Sequence, residues 1–159
     1  MRILVVSDTH GKDENLECVL DKVGPIDILV HCGDIEGRED FIEAVAECPV
    51  YMVRGNNDFF STLPGEVTFF LGNRRCFLTH GHSYRVSLDT GIIAEEGRAR
   101  GADIVFFGHS HRPVFEMDRV LLVNPGSLSY PRQEGRHPSY ILMDIEEDSV
   151  RGKICYLDS

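Results

Sequence analysis

The stretch ILVVSDTH, residues 3–10, decides the fold class of this chain. Its first half, residues 3–6, is apolar at every position, and its second half is polar. A short run without polar alternation is typical of a strand that is buried on both faces of a parallel sheet. Asp8 and His10 follow directly where this strand ends. The stretch therefore predicts an α/β fold with metal-binding or catalytic side chains at one edge of a sheet.

The segments that follow alternate between helix and strand patterns. Leu16, Val19 and Val23 share one helical face, and Asp13 is the expected N-cap of that helix. In order, the sequence predicts strand 3–6, helix 16–23, strand 26–31, a short helix around 41–45 and strand 50–53. This βαβαβ alternation implies parallel strands joined by right-handed crossovers.

The second half of the chain is richer in hairpins. The predicted elements are a hairpin at 67–71 and 76–79, a helix over 88–100, a strand at 103–107, and hairpins at 114–117 with 120–123 and at 140–145 with 150–156. No internal repeat, low-complexity stretch or linker interrupts the sequence. We therefore expect residues 1–159 to form a single mixed α/β domain.

Composition narrows the class of protein. The chain is 42% hydrophobic and 26% charged, which is typical of a soluble globular protein. No apolar run approaches the roughly 20 residues that cross a bilayer, and the N-terminal run is too short for a signal peptide. We expect a cytoplasmic protein without membrane association. The five cysteines are odd in number and include no CxxC pair, so we expect free thiols, most of them buried.

The net charge of −10 argues against binding to duplex nucleic acid, which requires clustered basic residues. The longest basic cluster is Arg74-Arg75. An anionic ligand would need another source of positive charge, and a bound metal ion is the obvious one.

Five predicted strands end in residues that can bind metal ions. These segments are Asp8-Thr9-His10, Gly33-Asp34, Gly55-Asn56-Asn57-Asp58, His80-Gly81-His82 and Gly108-His109-Ser110-His111. In open α/β sheets the loops at the carboxyl ends of the strands converge, and ligands bind there. Carboxylates, an amide oxygen and imidazoles together suit borderline divalent metals such as Mn, Fe, Ni, Co or Zn. One such segment would be an ordinary polar loop, but five in one chain predict a metal site.

Spacing within two of these segments favours the same conclusion. Asp8 and His10 are two residues apart, as are His109 and His111. On an extended chain, this spacing would aim both side chains of a pair to the same side.

The five segments, in this order, resemble the motifs of the calcineurin-like metallophosphoesterase superfamily: DxH, GD, GNH[ED], a later histidine and GHxH. The resemblance extends from residue 3 to about residue 127. It includes Asn124-Pro125-Gly126-Ser127, a run also seen in the small, cap-less phosphodiesterase-like members. It implies a four-layer α/β/β/α sandwich, in which two mixed sheets are flanked by helices, with two metal ions at the sheet edge.

Carried over position by position, the resemblance implies two metal sites. One would be held by Asp8, His10, Asp34 and His111, and the other by Asp34, Asn56, His80 and His109, with Asp34 as the bridge. The expected cofactors are two divalent ions per chain, Mn first, with Ni, Fe, Co or Zn as alternatives. Their shared hydroxide would be the nucleophile. The predicted activity is that of a phosphoesterase, more narrowly a phosphodiesterase, acting on a small phosphate ester.

Three further residues are candidates for catalytic roles. Asn57 stands where many superfamily members have the histidine of GNH[ED]. Its amide can hydrogen-bond to a leaving oxygen or to the nucleophile but cannot give up a proton near neutral pH, and alternatively it only closes the turn. His82 either faces the substrate or orients His80. Asp58 is expected to accept a hydrogen bond that keeps its loop in place.

A non-catalytic alternative has the same fold. The small retromer subunit is similar in fold and size, yet it works as a protein-interaction scaffold with an impaired metal site. All seven presumed ligands are present in this chain, which favours the enzyme. Phe59 and Phe60 could form either a partner surface or a substrate wall, and a homo-oligomer also stays open.

Overall fold

The computed structural model describes residues 1–157. In chain order the elements are β1 (Arg2–Val6), α1 (Glu14–Val23), β2 (Ile28–His31), α2 (Glu39–Ala46), β3 (Val50–Met52), β4 (Glu66–Leu71), β5 (Arg74–Thr79), a 3-10 turn (His82–Tyr84), α3 (Gly91–Ala99), β6 (Ile104–Phe106), β7 (Pro113–Asp118), β8 (Val120–Pro125), β9 (Ser139–Ile145) and β10 (Val150–Tyr156).

The strands form two mixed sheets of five strands each. The first has the order β10-β9-β1-β2-β3 and the second the order β4-β5-β6-β8-β7. β1, β2 and β3 are parallel, with Ile3 opposite Ile28 and Leu29 opposite Val50, so the βαβαβ prediction is confirmed. The three predicted hairpins are confirmed as the antiparallel pairs β4–β5, β7–β8 and β9–β10.

The side chains of β1 enter two different cores, which explains why its sequence is apolar at every position. Ile3 and Val5 pack between the two sheets, where the strands of the second sheet contribute the opposing side chains. Leu4 and Val6 pack on the outer face, against the buried side chains of α1 and α2. α3 covers the outer face of the second sheet through Ile93. The predicted four-layer α/β/β/α sandwich is thereby confirmed.

One local prediction is wrong, and another is confirmed only in part. α3 begins at Gly91 rather than at residue 88, because the preceding residues form the 3-10 turn and Arg85 then adopts a left-handed conformation with φ 55°. Asp13 is the N-cap residue of α1, as predicted, but its side chain makes no capping hydrogen bond. Its carboxylate instead accepts a hydrogen bond from Arg38 Nε at 2.5 Å, which ties the loop before α1 to the loop before α2.

All five cysteines are free thiols. Only Cys32 and Cys76 are buried, whereas Cys48 and Cys155 are half-buried and Cys18 is exposed, so the expectation that most of the thiols are buried is wrong. Among the described residues, no helix combines the length and the apolar character that crossing a bilayer requires.

Candidate metal centre

The loops that follow β1, β2, β3, β5 and β6 meet at one edge of the sandwich. They bring together all seven residues of the predicted ligand set: Asp8, His10, Asp34, Asn56, His80, His109 and His111. His137, which the sequence places outside the motifs, lies exposed in the loop before β9.

One half of the cluster consists of a carboxylate and two imidazoles. Asp8 Oδ1 lies 3.0 Å from His111 Nε2 and 3.6 Å from His10 Nε2. The two Nε2 atoms are 3.4 Å apart. Three donor atoms that converge from three sides can coordinate one divalent ion.

The other half is centred on Asp34 and His80. Asp34 Oδ2 lies 3.3 Å from His80 Nε2 and 3.7 Å from His10 Nε2, so it faces both halves of the cluster. Asn56 Oδ1 lies 3.1 Å from His109 Nδ1. The position of Asp34 is the one that a bridging carboxylate would occupy.

Two buried polar atoms in the cluster, Asp8 Oδ1 and His80 Nε2, make no hydrogen bond of acceptable geometry, although each lies close to another side chain of the predicted ligand set. Leaving a carboxylate oxygen without a partner in a protein interior is costly, and such atoms are rare in native proteins. A cation bound between them would satisfy both. The donor set and these two atoms therefore fit a divalent metal site.

Hydrogen bonds behind two histidines fix which ring nitrogen is free to bind a metal. His80 Nδ1 lies 2.7 Å from the carbonyl oxygen of Cys32, and His111 Nδ1 lies 2.7 Å from that of Tyr130. A carbonyl can only accept, so each Nδ1 carries a proton, and Nε2 is the nitrogen of each ring that faces the cluster. This pattern is typical of metal-ligating histidines.

The backbone at four of the predicted ligands is not extended, although the spacing argument had assumed that it was. Asp8, His10, His109 and His111 all have positive φ, between 50° and 68°, and none lies in a strand. The expectation that extended segments aim these pairs is therefore wrong. Left-handed conformations of non-glycine residues are uncommon and concentrate at functional sites.

Two glycines in the motifs are required by close packing of the loops. A Cβ atom on Gly55 would lie 2.1 Å from Asp34 Oδ1, and one on Gly33 would lie 2.6 Å from His80 Nδ1. Gly33 also has φ 107°, which side-chain-bearing residues rarely adopt. These glycines let the backbones of the second and third loops approach the ligand side chains.

Asp58 ties the second and third loops together. Its carboxylate accepts hydrogen bonds from the backbone N–H groups of Asp34, Ile35, Glu36 and Gly55, at 2.6–3.2 Å. It lies behind Asp34 and does not contact the other donor atoms. This geometry corresponds to the loop-positioning role that the sequence suggested.

His82 lies beside His80, and Asn57 lies beside Asp34. His80 Nδ1 is bonded to Cys32 O and its Nε2 makes no hydrogen bond, so His82 does not orient His80 through a hydrogen bond. The exposed His82 ring stands 5.6 Å from the His80 ring. Asn57 donates from both its backbone and its side chain to Asp34.

The pKa values of the carboxylates and imidazoles in the cluster depend on one another. Burial by itself would raise the pKa of Asp8, but contacts with His10 and His111 hold it well below its usual value. Burial would likewise raise the pKa of Asp34, but contact with His80 and the hydrogen bond from the Asn57 N–H lower it. Burial would lower the pKa of His80, but Asp34 and Asp8 raise it to about 9. Both carboxylates are therefore ionised at neutral pH and attract cations.

Sequence reasoning missed the support that comes from the end of β8 and the loop that follows it. Ser127 Oγ donates to the Asp8 carbonyl at 2.8 Å, and Asn124 Nδ2 donates to the Gly108 carbonyl at 3.2 Å. The run Asn124-Pro125-Gly126-Ser127 was the available signal, since these two residues belong to it. The contacts of the Cys32 and Tyr130 carbonyls with His80 and His111 could not be predicted from the sequence, because every residue has a backbone carbonyl.

Imidazoles, carboxylates and an amide at the edge of an α/β/β/α sandwich define a metallophosphoesterase. Residues 1–148 match the model of the calcineurin-like phosphoesterase superfamily domain, and the chain belongs to this family.

Individual relatives and solved structures agree with this assignment. The chain is 33% identical over 154 residues to probable metallophosphoesterase YsnB of Bacillus subtilis (strain 168), covering 94% of this chain and 88% of the relative. A conserved protein of Streptococcus pneumoniae TIGR4, described as a predicted phosphoesterase, superposes with a TM-score of 0.83 at 30% identity, covering 98% and 88% of the two chains. Zinc-complexed Vps29 of Entamoeba histolytica shares the fold, with a TM-score of 0.77 at 24% identity and coverage of 98% and 99%.

Proposed function

We propose that this metallophosphoesterase is a phosphodiesterase that acts on small phosphate esters. The observation that carries the proposal is the pair of buried polar atoms without a hydrogen bond, Asp8 Oδ1 and His80 Nε2, within a donor set of seven residues. A divalent cation bound between these atoms would satisfy both, and a metal-dependent hydrolase would hold one there.

The surroundings of the cluster favour a diester over a monoester. A cavity of about 630 Å³ lies on the side of Asn57 and Phe59, and a second of about 410 Å³ lies on the side of His10 and His111. A diester carries two substituents on phosphorus, and each cavity can take one of them. A monoester would leave one cavity unused.

The predicted ligands would hold two divalent ions, Mn first, with Ni, Fe, Co or Zn as alternatives. Such ions polarise phosphoryl oxygens as Lewis acids and acidify the attacking water. The chain's own residues position the reacting groups. Asn57 holds Asp34 in place, and His82 is exposed beside His80 and can face the substrate.

Hydrolysis of two aryl esters tests the proposal. Protein stripped of metal and reloaded with Mn²⁺ is expected to hydrolyse bis(p-nitrophenyl) phosphate with a higher kcat/KM than p-nitrophenyl phosphate. His137→Ala serves as the matched control, since His137 is exposed and outside the cluster, and it should keep the preference. Equal or reversed preference would contradict the diesterase assignment while leaving the family intact.

A second candidate function is that of a protein-interaction scaffold, and the exposed aromatic pair Phe59–Phe60 favours it. Phe60 is fully exposed and Phe59 is 80% exposed, and both lie beside the larger cavity. The fold is shared with Vps29. Metal-loaded protein that hydrolyses neither ester would favour this candidate.

Three expectations rest on the sequence alone. They are a cytoplasmic location, no binding to membranes or duplex nucleic acid, and a possible homo-oligomer.

A further inference from the structure

The smaller cavity beside the metal centre is lined by two arginines. Its walls are His10, His111, Tyr130, Pro131, Arg132 and Arg136. The arginine ion pairs of residues 1–157 involve Arg38, Arg100, Arg119 and Arg151, and neither arginine of this cavity is among them. Two guanidinium groups without an acidic partner thus line a cavity that opens beside the predicted ligands.

The segment that carries these arginines is fixed to the metal centre through His111. The Arg132 N–H donates to the His111 carbonyl at 3.0 Å, and the Tyr130 carbonyl accepts from His111 Nδ1 at 2.7 Å. The Tyr130 ring also meets His10 edge-on, at a centroid distance of 5.2 Å. Because these contacts involve backbone and ring atoms, the start of the segment has a defined position relative to the cluster.

Positive charge is concentrated on this side although the chain has a net charge of −10. Lys12 Nζ lies 4.7 Å from the centre of the Tyr130 ring and adds a third cation. The larger cavity is different, because its charged lining residues are Glu36, Glu39, Asp40, Glu43 and Asp58. Glu36 lines the larger cavity and His10 lines the smaller one, and Glu36 Oε2 lies 3.2 Å from His10 Nδ1 where the two cavities approach each other. An anionic group would therefore be attracted to one side of the centre and repelled from the other.

We infer that the cavity formed by Tyr130, Arg132 and Arg136 is a subsite for a second anionic group, a phosphoryl or carboxylate group carried by one substituent of the scissile diester. The inference rests on the proposed function, and it specifies the substrate class of the same site. Arginine suits this task because its planar guanidinium binds both kinds of oxyanion with two parallel hydrogen bonds.

Three esters that share one leaving group test the inference. They are ethyl, 2-carboxyethyl and 2-phosphonoethyl p-nitrophenyl phosphate, in which the added anion cannot itself be hydrolysed. With Mn²⁺-loaded protein, kcat/KM for the phosphonoethyl ester is expected to exceed that for the ethyl ester by about tenfold, as a charge-assisted hydrogen bond would give. The carboxyethyl ester shows whether a carboxylate suffices. The advantage should shrink as salt concentration rises.

Matched double variants separate a local effect from a change in net charge. Arg132→Gln with Arg136→Gln should reduce the ratio of the two kcat/KM values to near one. Arg119→Gln with Arg151→Gln removes the same charge from exposed positions elsewhere and should keep the ratio. A ratio near one in the unmodified protein, or a ratio that survives the first double variant, would overturn the inference.

A binding measurement keeps the inference testable even where hydrolysis fails. Calorimetry on the Mn²⁺-loaded protein should show methylenediphosphonate binding about tenfold more tightly than methylphosphonate, and the Arg132→Gln/Arg136→Gln variant should lose this difference. No hydrolysis of the ethyl ester would count against the proposed function. Equal binding of the two phosphonates would count against the subsite.

Discussion

Asn57 binds the carboxylate of Asp34 at both oxygens. Its backbone N–H donates to Asp34 Oδ1 at 2.9 Å, and its side-chain Nδ2 donates to Asp34 Oδ2 at 3.0 Å. The adjacent Asn56 instead places its amide oxygen 3.1 Å from His109 Nδ1, toward the cluster. The two neighbouring asparagines thus have different roles. Asn56 offers an oxygen that could bind a metal, and Asn57 holds the Asp34 carboxylate between the two halves of the cluster.

Asn57→Ala should weaken metal binding. Losing a residue that orients a metal ligand typically costs 10- to 100-fold in metal affinity or activity, and we expect a loss of roughly that size. Competition with a chromophoric chelator measures the affinity without relying on catalysis. Asn73→Ala, in the exposed β4–β5 turn, is the matched control. An unchanged affinity would mean that the bond to Asp34 has no role in holding the metal.

The leaving group should matter strongly, because the amide of Asn57 cannot donate a proton as a general acid. General acid catalysis contributes roughly 10²–10⁴-fold, and most for poor leaving groups. We expect high rates for aryl diesters and a steep loss for alkyl diesters, with Asn57→His helping alkyl esters more than aryl ones. The measurement is the slope of log rate against leaving-group pKa. Equally shallow slopes for both proteins would place the proton donor elsewhere, and His82→Ala would then be compared.

Asp58→Asn should destabilise the protein more than an ordinary turn substitution. The carboxylate of Asp58 is buried and accepts from four backbone N–H groups, and leaving buried groups of this kind unsatisfied typically costs about 1–3 kcal/mol. Asp103→Asn is the control, because Asp103 is exposed and accepts from a single N–H, that of Arg75. Urea unfolding of the metal-free proteins gives both values. Similar losses in the two variants would show that Asp58 does not hold the loops together.

The order of helices and strands could be predicted from the sequence because buried positions are occupied by apolar residues. Residues 3–6 are apolar at every position since β1 contributes to two cores, and the helix of Leu16 and Val19 follows the same logic. The convergence of the candidate ligands at one edge was predictable because chemically distinctive residues follow successive strands. The left-handed backbone at Asp8 and the bond from Asn57 to Asp34 were not, since both depend on how separate loops pack.

Acid should destabilise the protein through His31. This side chain is buried between Thr9 and the Gly33 N–H, and burial lowers its pKa to about 4. Between about pH 6.5 and pH 4 the unfolded chain binds a proton that the folded chain does not, so stability falls as pH falls through this window. A shift of this size corresponds to about 3 kcal/mol.

Urea unfolding of the metal-free protein at pH 6.5 and pH 4 checks this expectation. His31→Gln should lose less stability than the unmodified protein over the same interval. NMR titration of the His31 ring gives a second readout, should the variant fail to fold. A ring that becomes protonated near pH 6.5 in the folded protein would contradict the expectation.

Titration of metal into stripped protein tests most directly whether the cluster is a hydrolytic centre for two divalent ions. Hydrolysis of bis(p-nitrophenyl) phosphate should be absent after chelation, return on addition of Mn²⁺ and reach its plateau at about two ions per chain. Asp34→Ala should lose activity and bind less metal at both positions, while His137→Ala stays within a factor of a few. Full activity in protein verified to be free of metal, or two tightly bound ions in Asp34→Ala, would contradict the assignment.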